Sequence, residues 1–333
     1  MSLLDPLLRF GGSVLAPGGS RSRLAILMYH RVLLRPDPLT GEVDAASFDV
    51  QMQALCEYFN VLPLEEAVER LAAGRLPARA AAITFDDGYA DNLHVALPIL
   101  QKHRLHATFF IANGFLDGGR MFNDTVIEAI RRLQGPTLDL PAAGLHGVPV
   151  GSMQEKRASL GSVLRAVKYL PLDARTAAAA QIAHWAGVPL PDDLMMTADE
   201  LRTLAAAGMG IGGHTVNHPI LTRISLDQAR AEIAVNRDFL QRLLGRPVTL
   251  FAYPNGVPGQ DYSAEHVTLA REAGYRAALS TSWGAASRRS DRFQLPRFTP
   301  WDREPRRFAV RLLHNLLRRR PVEVPVTPAA ALR

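Results

Sequence analysis

Two adjacent carboxylates, Asp86 and Asp87, close the apolar run "AAITFDDGY", and two histidines, His214 and His218, stand four apart in "GHTVNHP". Like charges side by side at the end of a buried strand repel, so the pair needs a physical reason. Imidazoles at this spacing share one face of a single helical turn, which Pro219 then discourages from continuing. The zinc-protease signature carries a Glu directly after its first His. Thr215 stands there instead, so a metal at the histidines must find its base and third ligand elsewhere. The aspartate pair can supply both. One carboxylate can bind the cation, which relieves the repulsion. The other stays free to take a proton from an activated water. The bland alternative is that Asp-Asp-Gly is an acidic surface turn.

These residues need elements that bring them together. Short apolar runs alternate with helical patterns, which predicts β/α units around a parallel sheet. Strands are expected at "LAILMYH" (24–30), "AAAITFD", "HATFFIA" (106–112), "MGIGG", "VTLFAYP", "YRAALST" and "FQLPRF". Helices are expected at 47–59 with Ser47 as N-cap, at "DNLHVALPILQKH" with Pro98 as a possible kink, at 198–207 behind a Thr197/Glu200 capping box, and at 226–244. His30, Asp86, Asp87, His214, His218, Asn255 and Arg297 then fall at strand ends. In parallel α/β folds those ends form one functional rim. Residues 115–195 break the rhythm and read as a helical insertion on the barrel face.

Composition narrows the class. The 333 residues are 47% hydrophobic and 21% charged, which suits a globular chain with ample core. Cys56 is the single cysteine, so no intrachain disulfide or Cys-based metal site is possible; it is expected to be buried on its helix. Asp5, Pro6, Arg9 and Gly11-Gly12 break any secretory h-region at the start, and no window approaches the ~20 apolar residues of a membrane span. A cytoplasmic location is expected. The net charge is +6, and residues 303–320 hold seven Arg against one Glu, leaving the remainder close to neutral. That argues against a nucleic-acid-binding surface and for one basic amphipathic helix at 303–320. It either packs on the barrel with a solvated basic face or makes peripheral contact with an anionic membrane. Residues 1–23 read as an N-terminal extension, 24–302 as the barrel, and 321–333 as a disordered tail.

"TFDDGY", "HTVNH" and "FAYPNG", in this order and spacing, resemble the polysaccharide deacetylase (NodB-homology) family of carbohydrate esterases. "LMYHRV" and "QLPRF" resemble a branch of it, and the likeness spans roughly residues 24–300. The resemblance implies a distorted (β/α)7 barrel that removes N-acetyl groups from amino sugars of a polysaccharide or glycolipid. It implies a divalent metal, usually Zn2+, held by Asp87, His214 and His218. Asp86 would be the general base, and the backbone N–H at Asn255 would steady the oxyanion.

Two positions depart from the family pattern. The third motif usually opens with an Arg that orients the base, and Ala252 stands there. Arg297 of "LPRF" is the expected substitute, set against a surface arginine. The late Leu-x-His that protonates the leaving amine has no counterpart at a strand end. His314 lies in the basic helix, so His30 is the candidate acid, set against a structural rim histidine. His94, His103, His106, His146, His184 and His266 are expected to be solvated or structural. Two other readings stay open: a same-fold metal hydrolase acting on another non-peptide C–N bond, and a catalytically silent barrel that binds glycans or membranes.

Overall fold

A computed structural model describes residues 11–14, 16–317 and 321–326. Seven parallel strands follow one another around a nearly closed barrel: β1 Leu24–Tyr29, β2 Ala80–Phe85, β3 Ala107–Ile111, β4 Gly210–Gly213, β5 Leu250–Ala252, β6 Ala277–Trp283 and β7 Leu295–Arg297. A parallel bridge from Leu27 to Phe298 brings the last strand back to the first. The helices are α1 Ala45–Tyr58, α2 Leu64–Ala72, α3 Leu97–Lys102, α4 Phe122–Arg132, α5 Met153–Lys168, α6 Leu172–Ala186, α7 Ala198–Ala206, α8 Leu226–Leu244, α9 Ala264–Glu272 and α10 Pro305–Leu317.

The strands are buried on both faces, as expected for a parallel sheet covered by helices. Leu24, Ile26, Ala80, Ala82, Phe110, Leu250, Leu279 and Leu295 meet in one cluster inside the barrel. Their strand neighbours Ala25, Leu27, Ala81 and Ile83 pack outward with Phe48 and Met52 of α1 and Ile233 of α8. Period-2 alternation therefore sorts each strand between two cores. Gly213 ends β4 where a Cβ would overlap the Tyr275 hydroxyl and crowd Asn236, so only glycine lets α8 approach the rim.

The insertion contains more than helices. Between α4 and α5 it forms an antiparallel hairpin, Thr137–Leu140 with Leu145–Pro149. Its core is separate from the barrel's: Val126, Ile130, Leu138, Leu160, Val163 and Ile182 pack together.

Four local expectations need correction. Asp44, not Ser47, caps α1: its carboxylate accepts from the Ser47 backbone N–H at 3.0 Å. Cys56 is exposed, because Phe48, Met52 and Leu55 take the buried face of α1. Pro98 does not kink a long helix. It sits in the first turn of α3, after a π-turn at Asn92–Ala96. Residues 321–326 are not loose. The Val322 N–H donates to Ser282 Oγ at 2.7 Å, and Val324 exchanges two bonds with Gln294. The remainder of the tail, 327–333, lies outside the described residues, as do residues 1–10 of the N-terminal extension and Arg318, Arg319 and Arg320 of the basic segment. Helix α10 buries Phe308, Leu312, Leu313 and Leu316 and keeps Arg306, Arg307 and Arg311 exposed. Among the described residues no helix is long and apolar enough to cross a membrane.

Candidate active site

The first carboxylate is gripped. Asp86 follows β2, and its backbone N–H donates to Tyr29 O at 2.9 Å, which ties it to β1. Arg297, at the end of β7, donates two parallel hydrogen bonds to Asp86, at 2.6 and 2.7 Å. The same guanidinium donates to Ser280 O at 3.1 Å, and its side chain is 0% exposed. Burial alone would push the Asp86 carboxyl up; the Arg297 charge and bonds outweigh it and hold the group below the usual carboxylate range. A fork-on-fork pair also fixes orientation, which a lysine could not do.

The second carboxylate is left open. Asp87 adopts φ +78, a left-handed conformation that turns both carboxylates toward one side where a plain strand would separate them. Gly88 follows at φ +99 and completes the reversal. Asp87 Oδ1 is buried and has no hydrogen-bond partner. It lies 3.4 Å from His214 Nε2 and 3.5 Å from His218 Nε2.

The two histidines meet without a helical turn. Thr215 and His218 both take left-handed φ, +65 and +51, and "HTVNH" forms an irregular loop, so the expected one-turn helix is corrected. Barrel helix α8 shapes this loop. Glu232 accepts from the Val216 and Asn217 backbone N–H groups at 2.8 Å each. Buried Asn236 accepts from His214 N–H and donates to Ile111 O and Thr215 O. His214 Nδ1 is paired with Ala252 O at 2.7 Å, which leaves Nε2 facing Asp87 with its lone pair. At the position of the missing motif arginine, the chain thus uses its carbonyl.

Burial opposes charge on both imidazoles. At His214 the Asp86 and Asp87 carboxylates overcome it and raise the pKa, whereas at His218 burial wins and lowers it to about 3. The charge on His214 adds to burial in lowering the pKa of its neighbour. A dication would satisfy both nitrogens and the orphaned oxygen together. Asp87, His214 and His218 offer ligand atoms all within 4.8 Å of one another, and this donor set fits a divalent metal with open positions.

A cavity of about 390 Å³ collects Asp86, Asp87, His214, His218, His30, Asn255 and Thr281. The insertion supplies its other wall, with Phe122, Asn123, Leu164, Arg165 and Lys168. Asn255 holds φ +60, and its carbonyl accepts from Thr281 Oγ1 at 2.8 Å. His30 follows β1, and its carbonyl accepts from Asn92 Nδ2 at 2.9 Å.

Several supporting residues are missing from the sequence reading. Glu232 and Asn236 lie four apart on α8, with Asn236 on the face that also buries Ile233 and Leu240. A polar side chain on an apolar helical face was their signal. Tyr89 donates to buried Asp124 at 3.0 Å, and burial with the nearby Asp87 charge pushes that carboxyl up to about 7. Nothing local in the sequence flags that contact.

The sequence profile of polysaccharide deacetylases matches residues 73–135 and 165–278, which is just over half of the chain. The gap falls on the hairpin and most of α5. YxkH of Bacillus subtilis (strain 168), provisionally named a polysaccharide deacetylase, is 22% identical over 278 residues, covering 83% of this chain and 71% of that protein. The Streptococcus pyogenes deacetylase PplD, solved in complex with acetate, shares the fold with a TM-score of 0.59 at 22% identity, over 88% of this chain and 98% of that one. IcaB from Ammonifex degensii follows at 0.58 and 18% identity, over 90% and 98%. This chain belongs to the polysaccharide deacetylase family.

Proposed function

We propose that the protein is a metal-dependent hydrolase that removes N-acetyl groups from amino sugars of a polysaccharide or glycolipid. The buried, unpartnered Asp87 Oδ1 facing two imidazole Nε2 atoms carries the reading. Asp87, His214 and His218 would hold a divalent cation, Zn2+ in this proposal, which supplies the Lewis acidity that activates water and polarises an amide carbonyl. Asp86 stays ionised because Arg297 holds it so. Each of its oxygens keeps a lone pair beyond the Arg297 bonds, and one accepts the proton from the attacking water. Asn255 lines the cavity, and its backbone N–H would serve the oxygen that gains charge. When the C–N bond breaks, His30 delivers a proton to the departing amine, and acetate and the free amino sugar leave. Arg297 is a positioning residue: it touches the base, not the substrate.

The exposed thiol of Cys56 suits a reducing, cytoplasmic compartment. The outer face of α10, with Arg306, Arg307, Val310 and Leu317 exposed, supports peripheral contact with an anionic membrane, which sedimentation with anionic vesicles would test. For the activity, the purified chain is assayed for bound metal and for acetate release from N-acetylglucosamine oligomers. Both together support the proposal. Metal without acetate favours a different C–N bond, and neither favours a silent barrel.

A further inference from the structure

Beside the carboxylate–imidazole cavity lies a larger one of about 1010 Å³, between the insertion and α8. Phe122 and His218 line both, so the two share a wall. The larger cavity is mostly apolar, walled by Ala179, Ala180 and Ala183 of α6 and by Ile224 and Val235 on the barrel side. Arg175 stands in that wall. It is 7% exposed, and its guanidinium lies 4.6 Å from the centre of the Phe122 ring. Its Nε is buried without a partner, and among the described residues no carboxylate pairs with it.

The acidic groups lining the same cavity do not neutralise it. Glu232 is engaged by three N–H groups of Val216 and Asn217 at 2.8 Å, and Asp173 lies exposed in the first turn of α6. Lys168 and Arg223 share a smaller opening with Arg175, but Asp261 faces both and offsets their charge. A buried cation without a counter-ion is unfavourable unless the counter-ion arrives with a ligand. A guanidinium is shaped for a phosphate. The alanine and aliphatic walls beside it suit a hydrocarbon.

We propose that the substrate's amino sugar is joined through a phosphate to an apolar chain. The sugar occupies the cavity with Asp86 and Asp87, the phosphate rests on Arg175, and the chain runs between α6 and α8. This rests on the deacetylase reading of the site and names its substrate class.

The test uses the full metal-loaded chain and four probes below micelle-forming concentration. They are N-acetylglucosamine 1-(dodecyl phosphate), N-acetylglucosamine 1-phosphate, neutral dodecyl N-acetylglucosaminide and a hyaluronan tetrasaccharide. Affinities come from calorimetry and acetate release is followed in parallel. The dodecyl phosphodiester is expected to bind at least about tenfold tighter than either probe that lacks one of its two features. Arg175→Gln should bring it down to the neutral dodecyl glycoside, Arg175→Lys should recover part of the loss, and Ala183→Phe should erase the gain from the chain. The proposal is overturned if the diester is no tighter than both single-feature probes, if Arg175→Gln weakens diester and neutral glycoside alike, or if hyaluronan binds best. Should a variant misfold, the unmodified protein's affinity ratios decide alone. If no probe releases acetate, the deacetylase reading falls while those ratios still decide this inference.

Discussion

The barrel rim and the helical insertion face each other across the same cavities, yet they treat buried charge in opposite ways. On the rim, Asp86 has its guanidinium, Glu232 has three N–H donors, and Asn236 is bonded on all sides. Asp87 Oδ1 has no hydrogen-bond partner and points at two imidazoles. In the insertion, buried Lys156 caps its own neighbours by donating to Arg131 O and Leu133 O, while Arg175 rests on the Phe122 ring with its Nε unpartnered. A rim whose base and metal-facing loop are held in place suits chemistry whose geometry must not drift. An insertion with its own core and one unmatched cation suits the choice of what enters.

If that division is right, the two regions should fail differently. The largest effect should come from Asp87→Ala, which removes the rim's open oxygen. We expect bound metal to be lost and acetate release to fall by roughly 10³-fold or more, followed by metal analysis and steady-state assay. Arg297→Met should come next. It strands a buried carboxylate and should lower stability by about 3–5 kcal/mol in urea unfolding. Adding Asp86→Asn should recover part of that loss, since the charge is then gone. An Arg297→Met protein of unchanged stability and activity would break the rim half of the comparison.

Ile182→Ala empties a 0% exposed site in the insertion core and should cost about 2–4 kcal/mol. Hydrogen exchange should show the loosening in 122–186 and spare β1 to β7. Equal loosening of the strands would mean that the insertion has no core of its own.

Asp124 sits at the seam, on α4 against Tyr89. Its folded pKa, about 7, lies above the ordinary carboxylate value. Between these two values the unfolded chain has lost a proton that the folded one keeps. Stability of the chelator-treated protein should therefore decline as pH rises from about 4 to about 7 and then level off, by up to a few kcal/mol. Asp124→Asn should flatten that slope, and an unchanged slope would place the titrating group elsewhere.

The same contrast separates what the amino-acid sequence shows from what it hides. Barrel strands such as Ala80–Phe85 and Ala107–Ile111 are apolar runs broken only by Thr84 and Thr108, because both faces are covered, and such runs announce themselves. Local caps announce themselves too: Thr197 and Glu200 form the reciprocal box that their spacing predicts. The strand-end carboxylates and histidines were legible as types that need one another. The left-handed backbone at Asp87, Thr215 and His218 was not, and the loop that carries the histidines is held by Glu232 and Asn236 of α8, which no local pattern announces. The hairpin at 137–149 has no clear signal because its strands are short, mostly exposed and, in the second, interrupted by Gly147. Residues 321–326 looked loose because their partners, Ser282 and Gln294, are about thirty to forty positions upstream.

We propose that one divalent ion on Asp87, His214 and His218 runs the hydrolysis. The direct measurement strips the protein with chelator and titrates zinc back while following acetate release from N-acetylglucosamine tetramer. We expect no release from the stripped chain, then a linear rise that saturates at one zinc per chain and is absent from His214→Ala. Release that is indifferent to zinc, or that survives the loss of His214, would contradict it.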